Sequence, residues 1–166
     1  MGLAVYVLMI PQTFPEFRVA QFSSVIAIAS HPLHAMMVNF PISYLIGGLA
    51  SDLAFWWTGD PFWARVSLWI IGAGFFMGAL AAVFGMLEFM LVKEIREFVS
   101  SWGHFLAGIT LVAISGANWW GRVGDAEGAV LPWGLFFSAL TAASVSWAAW
   151  MGAKLVFDHK IGTADE

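Results

Sequence analysis

The sequence predicts an all-α integral membrane protein, with four antiparallel transmembrane helices behind an N-terminal interfacial arm. Three observations carry that expectation. Of the 166 residues, 60% are hydrophobic and only 11% are charged, where soluble domains hold about a quarter charged residues. The mean hydropathy is +0.80. Four apolar stretches each reach the roughly 20 residues that a helix needs to cross the hydrocarbon core, and the charges gather between them.

The first span is expected from His34 to Thr58, the second from Phe62 to Val92, the third from Ser101 to Trp120 and the fourth from Leu131 to Phe157. TGDP closes the first, KEIRE separates the second from the third, and GRVGDAEGAVLP separates the third from the fourth. Connections this short join antiparallel neighbours. The second run exceeds the required length, so it should tilt or end in an interfacial turn. Residues 31–166 thus form the four-helix domain.

Residues 1–30 form the arm. LAVYVLMI is too short to span, and Pro11 and Pro15 interrupt the chain just after it. FRVAQFSSVIAIAS has the pattern of a surface-lying amphipathic helix with Phe17, Phe22 and Ile26 inward, or of an arm that docks on another subunit. The apolar run lacks a basic n-region and runs straight into PQTFPEF, so no cleaved signal peptide is expected and the mature chain should start near Met1.

Four antiparallel spans return both termini to one face, called here the near face. It collects Arg18, Lys93, Arg96, Lys154 and Lys160, against Arg65 and Arg122 on the far face. The positive-inside bias makes the near face cytoplasmic. Trp56, Trp57, Trp63, Trp119, Trp120 and Trp133 fall at the far face as an aromatic belt. Gly72, Gly74, Gly78 and Gly85, with the alanine-rich run from Ala139 to Ala153, offer small surfaces for close helix approach in lipid.

Composition also excludes functions. A net charge of −4 without a basic face argues against nucleic acid. The absence of cysteine removes disulfides, thiolate metal ligands, iron–sulfur clusters held by cysteine and covalently attached haem. The GxGxxxG run at Gly72 is not a nucleotide loop, because no strand precedes it and it lies within a span. No nucleophilic triad or paired-carboxylate pattern is present.

The histidines carry the chemistry. His31 and His34 precede or open the first span, His104 lies a turn into the third, and His159 comes after the fourth, so topology gathers all four at the near face. Glu88 ends the second span at a similar depth. One reading is structural: Ser30 caps the helix that Pro32 opens, Pro41 kinks it, and Glu88 pairs with Lys93 or Arg96. The other is a metal centre, because neutral imidazole suits iron, copper and zinc. A haem b needs two imidazoles facing across a bundle core, and His34 or His31 with His104 supplies such a pair. A non-haem iron, copper or zinc site would recruit His31, His34, His104 and His159 with Glu88. At the far face, Asp52, Arg65, Asn118 and Arg122 form a second cluster, with an Asp52–Arg65 ion pair expected around the TGDP turn.

These residues resemble a known family. HPLH at His31 to His34, V-x-F-P at Val38 to Pro41, G-x-L-E at Gly85 to Glu88, the helix-entry His104 and G-x-x-L-V-x-x-H-x-x-G at Gly152 to Gly162 occur in one order. The order is similar to that of the bacterial four-helix transmembrane family called domain of unknown function 2231. Its members read HPLHP-x-x-V-H-F-P near the start and G-x-L-V-Y-R-H-G near the end. The resemblance covers roughly residues 31–163. Here Ala35 replaces the second proline and Asn39 stands in place of a third histidine. The resemblance implies the fold, the topology and a bacterial inner membrane; the family carries no settled activity.

Two functions fit these features. The first is a small electron-transfer or metal-binding subunit, which holds haem b or a non-haem metal at the near face and passes electrons to a partner membrane subunit or to quinone. The second is a non-catalytic accessory subunit whose arm and aromatic surface pack against a larger complex or a second copy. A transporter is disfavoured, because the mid-membrane positions are apolar or small.

Overall fold

The computed structural model describes residues 26–28 and 31–158. Its helices long and apolar enough to cross a membrane are Leu33–Thr58, Pro61–Leu91, Val99–Trp120 and Val130–Phe157. The arm before residue 26, with Arg18, Ser30, His159 and Lys160, lies outside the described residues. Ahead of the first span, β1 (Ala27–Ile28) and β2 (His31–Pro32) form a two-residue antiparallel bridge with Ile28 opposite His31.

The first span runs as one helix that lacks a single backbone hydrogen bond. α1 (Leu33–Met37) and α2 (Asn39–Thr58) meet at Val38. The cause is Pro41, which has no N–H to offer the carbonyl of Met37 four residues back. α1 starts after Pro32, and no side chain caps it.

The TGDP turn shows how the chain reverses. Gly59 takes a left-handed φ of 66° and its N–H reaches the Phe55 carbonyl at 2.8 Å, closing α2. Asp60 then caps α3 (Pro61–Leu91) by accepting from the Phe62 N–H at 2.9 Å, with Pro61 at the first helical position. α3 has 31 residues, about 46 Å at 1.5 Å per residue, and so overruns the hydrocarbon core. A 3-10 turn at Glu94–Glu97 leads to α4 (Val99–Trp120). A π-turn at Val130–Gly134, bent at Leu131, leads to α5 (Leu135–Phe157).

The helices pair as two hairpins. α2 packs along α3 and α4 along α5, while α3–α4 and α2–α5 form the narrower seams between them. Glycine sets the spacing: a Cβ at Gly74 would lie 2.8 Å from Leu45, and one at Gly72 would lie 2.5 Å from Trp119 Nε1. Trp119 therefore packs between helices at the far-face end of the bundle. It is half-buried and stacks on Phe75 with centroids 6.0 Å apart. Trp57, Trp120 and Trp133 do face outward.

Polarity is distributed inside out. Among the described residues, nine apolar and nine polar or charged side chains are buried, while Trp57, Trp69 and Val99 are 84%, 75% and 88% exposed. A water-soluble bundle would put its apolar surface inside. This one turns it outward, as a lipid-facing bundle does.

Candidate functional site: a histidine pair at one face and a closed ion pair at the other

His34 sits at the start of α1 and faces α3. Its Nδ1 donates to the Ala81 carbonyl at 2.8 Å. Four residues past Ala81, Gly85 removes the obstacle to that approach: a Cβ there would meet His34 Cε1 and Nδ1 at 2.9 Å. His104 repeats the arrangement one hairpin later. Its Nδ1 donates to the Ala148 carbonyl on α5 at 2.9 Å, and a Cβ on Gly152 would meet its ring at 3.1 Å.

These bonds set the chemistry of the pair. A carbonyl oxygen only accepts, so each Nδ1 carries a proton, and in the neutral imidazole that leaves Nε2 with a lone pair. The two Nε2 atoms face each other at 3.5 Å, with the rings edge to face at 5.8 Å between centroids. Two neutral imidazoles held this way place no hydrogen between those nitrogens. In that neutral state the two rings turn lone pairs toward one another. Backbone carbonyls that fix ring orientation and tautomer are the usual outer support of histidines that ligate metal.

The other expected ligands are placed elsewhere. His31 is exposed in the β-bridge. Glu88 stands a turn beyond Gly85 and accepts from the backbone N–H of Ile26, tying the segment ahead of the first span to α3. Arg96, a partner expected for Glu88, donates to the Met90 carbonyl at 3.2 Å. His159 lies outside the described residues. No group of three or more histidine, aspartate or glutamate side chains is poised for one metal among the described residues. Two hydroxyls in the first turn of α4, those of Ser100 and Ser101, are buried without a hydrogen-bond partner among the described residues. Ser101 precedes His104 by three positions and so shares its helix face.

The far face holds a complete polar layer. Arg122 and Asp52, with side chains 1% and 0% exposed, form a two-point ion pair through Nη1–Oδ1 at 2.7 Å and Nη2–Oδ2 at 2.8 Å. Ser67 donates to Oδ1 at 2.5 Å and Ser138 to Oδ2 at 2.6 Å. Arg122 Nε donates to Asn118 at 3.1 Å, and its remaining N–H groups reach Ser67 at 2.8 Å and Ser138 at 3.4 Å. All five guanidinium donors and both carboxylate oxygens are thus engaged, with contributions from α2, α3, α4 and α5. The expected Asp52–Arg65 pair is corrected: Arg65 is exposed and approaches Glu127 at 3.9 Å.

The layer is closed and neutral, so it locks helices and has no capacity left for a ligand. A separate open groove of about 400 Å³ between α3 and α4, lined by Ala79, Ala82, Met86, Val112 and Ala113 among others, is almost wholly apolar and faces outward. Among the described residues, the near-face histidine pair is the candidate site.

Both histidines were legible in the sequence, but the elements that orient them were not. A signal was present as two similar segments, AAVFG at Ala81 to Gly85 and AAWMG at Ala148 to Gly152. Ser67 and Ser138 also escaped notice, because a serine in a span carries no mark of its partner.

No curated protein and no solved structure matches the chain. Its sequence does match, over residues 30–165, the model of a family described as predicted membrane protein (DUF2231). With the four spans and the near-face histidines in place, the chain belongs to that family of multi-pass membrane proteins.

Proposed function

We propose that the protein is a small electron-transfer subunit of the bacterial inner membrane, with its redox centre held by His34 and His104 at the cytoplasmic face. The observation that carries this reading is the pair of Nε2 atoms facing each other at 3.5 Å, each imidazole fixed through Nδ1 by a carbonyl. A haem b brings four of its own nitrogens and asks the protein for two imidazoles. A closed four-ligand zinc site would need two more side chains. Two metal–imidazole bonds of about 2.0 Å each set the nitrogens near 4 Å apart, so a single ion needs them about half an ångström further apart. A haem needs the hairpins to part along their narrower seams as well. The Ser100 and Ser101 hydroxyls, buried without a partner among the described residues, support a bound group with an acceptor atom at this end of the bundle.

A bundle with so little chain beyond the bilayer would exchange electrons with a partner membrane subunit, a second copy or quinone. The cytoplasmic assignment rests on the positive-inside bias of the connections. Haem extraction and iron, copper and zinc analysis of protein purified from its native membrane test the centre. The expected result is one stoichiometric haem, iron or copper ion, lost in a His34→Ala, His104→Ala double variant that still folds, whereas zinc alone rejects an electron-transfer centre. Wild-type protein with none of the three, or a double variant that keeps the group, rejects the reading.

A further inference from the structure

The two polar layers share a numerical relation. His34 and His104 are 70 positions apart, and so are Asp52 and Arg122. Ser67 and Ser138, which grip the two oxygens of Asp52, are 71 apart. Each hairpin opens with a histidine and places an ionic residue 18 positions later, Asp52 in one and Arg122 in the other. Eighteen residues of helix rise about 27 Å, close to the roughly 30 Å hydrocarbon core, so the layers lie at opposite faces.

The return helices carry the same motif about one turn out of register, Ala81 lying 14 positions after Ser67 and Ala148 lying 10 after Ser138. In both hairpins the histidine Nδ1 donates to the first alanine of an A-A-x-x-G segment, Ala81 in AAVFG and Ala148 in AAWMG. In both, the glycine four residues on gives the imidazole its place. α1 and α4 enter the membrane from the same face, so the repeat is parallel, with its axis along the membrane normal.

We infer that the bundle is two copies of one helical hairpin about an internal twofold axis, and that Ala81–Gly85 and Ala148–Gly152 are matching positioning elements for His34 and His104. A group bound there sits on the axis, between two equivalent neutral imidazoles, and must be a single electron-pair acceptor with two opposed coordination positions. That ligand class rests on the redox reading above; the paired half-sites do not.

The carbonyl of Ala81 selects the Nδ1-protonated tautomer only while Gly85 lets the ring lie against α3. A methyl group at position 85 pushes the ring off the carbonyl, and the preference disappears for His34 alone. The same holds for position 152 and His104.

Histidine-15N NMR of the full chain in detergent tests this. Two rings protonated at Nδ1 are expected in the wild type, assigned by their separate loss in His34→Ala and His104→Ala. Gly85→Ala should change only the His34 ring and Gly152→Ala only the His104 ring. Should Gly85→Ala misfold, a His34→Ala, Gly85→Ala double variant relieves the clash and should fold with the His104 signal unchanged. Rings protonated at Nε2 in the wild type, or glycine variants that leave both rings unaltered, overturn the inference. So does a double variant that still misfolds. Wild type with both Nδ1-protonated rings but no bound metal or haem keeps the half-sites and rejects the redox reading. Bound cofactor with unequal ring behaviour does the reverse.

Discussion

Arg122 holds Asp52 through two parallel hydrogen bonds at 2.7 and 2.8 Å, with neither side chain reaching solvent or lipid. The partners come from different hairpins, so the pair ties together halves that otherwise meet along narrow seams. Removing one member of a buried pair leaves the other charge uncompensated, at about 3–5 kcal/mol. Arg122→Ala and Asp52→Ala should each destabilise the bundle by that order. Chemical unfolding in detergent measures it, and a loss below about 1 kcal/mol would show that the layer is not the lock described.

Arg65 gives the contrasting case. Its contact with Glu127 is long, at 3.9 Å, and both side chains are more than half exposed. Such pairs contribute about 0–1 kcal/mol. Arg65→Ala should leave the unfolding midpoint nearly unchanged, and in a double-mutant cycle Arg65 should show no coupling to Asp52. Measurable coupling would restore the pairing expected from their closeness in sequence.

Ser101 separates a structural role from a binding role. Its buried hydroxyl has no partner among the described residues, and an unsatisfied buried polar group costs about 1–3 kcal/mol. Ser101→Ala should therefore be neutral or stabilising in protein stripped of any bound group, while retention of that group falls several-fold. Thermal melts with and without the group give both numbers. Loss of stability in the stripped protein would mean that the hydroxyl serves the fold.

Gly72 tests the close approach of α3 to the Trp119 ring. A Cβ there would overlap the indole, so Gly72→Ala should destabilise by about 1–3 kcal/mol, the cost of overpacking. A Gly72→Ala, Trp119→Phe pair should recover part of that loss. No recovery would place the strain elsewhere.

Much of the fold was legible because length and apolarity decide what spans a bilayer, and because TGDP carries its own turn chemistry in Gly59 and Asp60. The near-face gathering of His34 and His104 came from counting spans. Which polar groups meet was less legible. The Asp52–Arg65 pairing judged partners by the turn between them, whereas helix rotation aims Asp52 at Arg122 across the bundle and leaves Arg65 outside. Trp119 resembles Trp120 as an interfacial tryptophan in the sequence, yet Gly72 opens a place for it inside. The backbone carbonyls that set both histidine tautomers have no side-chain signature; only the paired A-A-x-x-G segments hint at them.

Joint possession of one redox-active group by His34 and His104 has a direct optical test. It is a reduced-minus-oxidised absorption spectrum of wild-type protein, set beside those of His34→Ala and His104→Ala. A haem or metal difference spectrum is expected in the wild type, lost or strongly altered in both variants to a similar degree. A featureless wild-type spectrum, or a signal that survives both substitutions, would refute the redox centre.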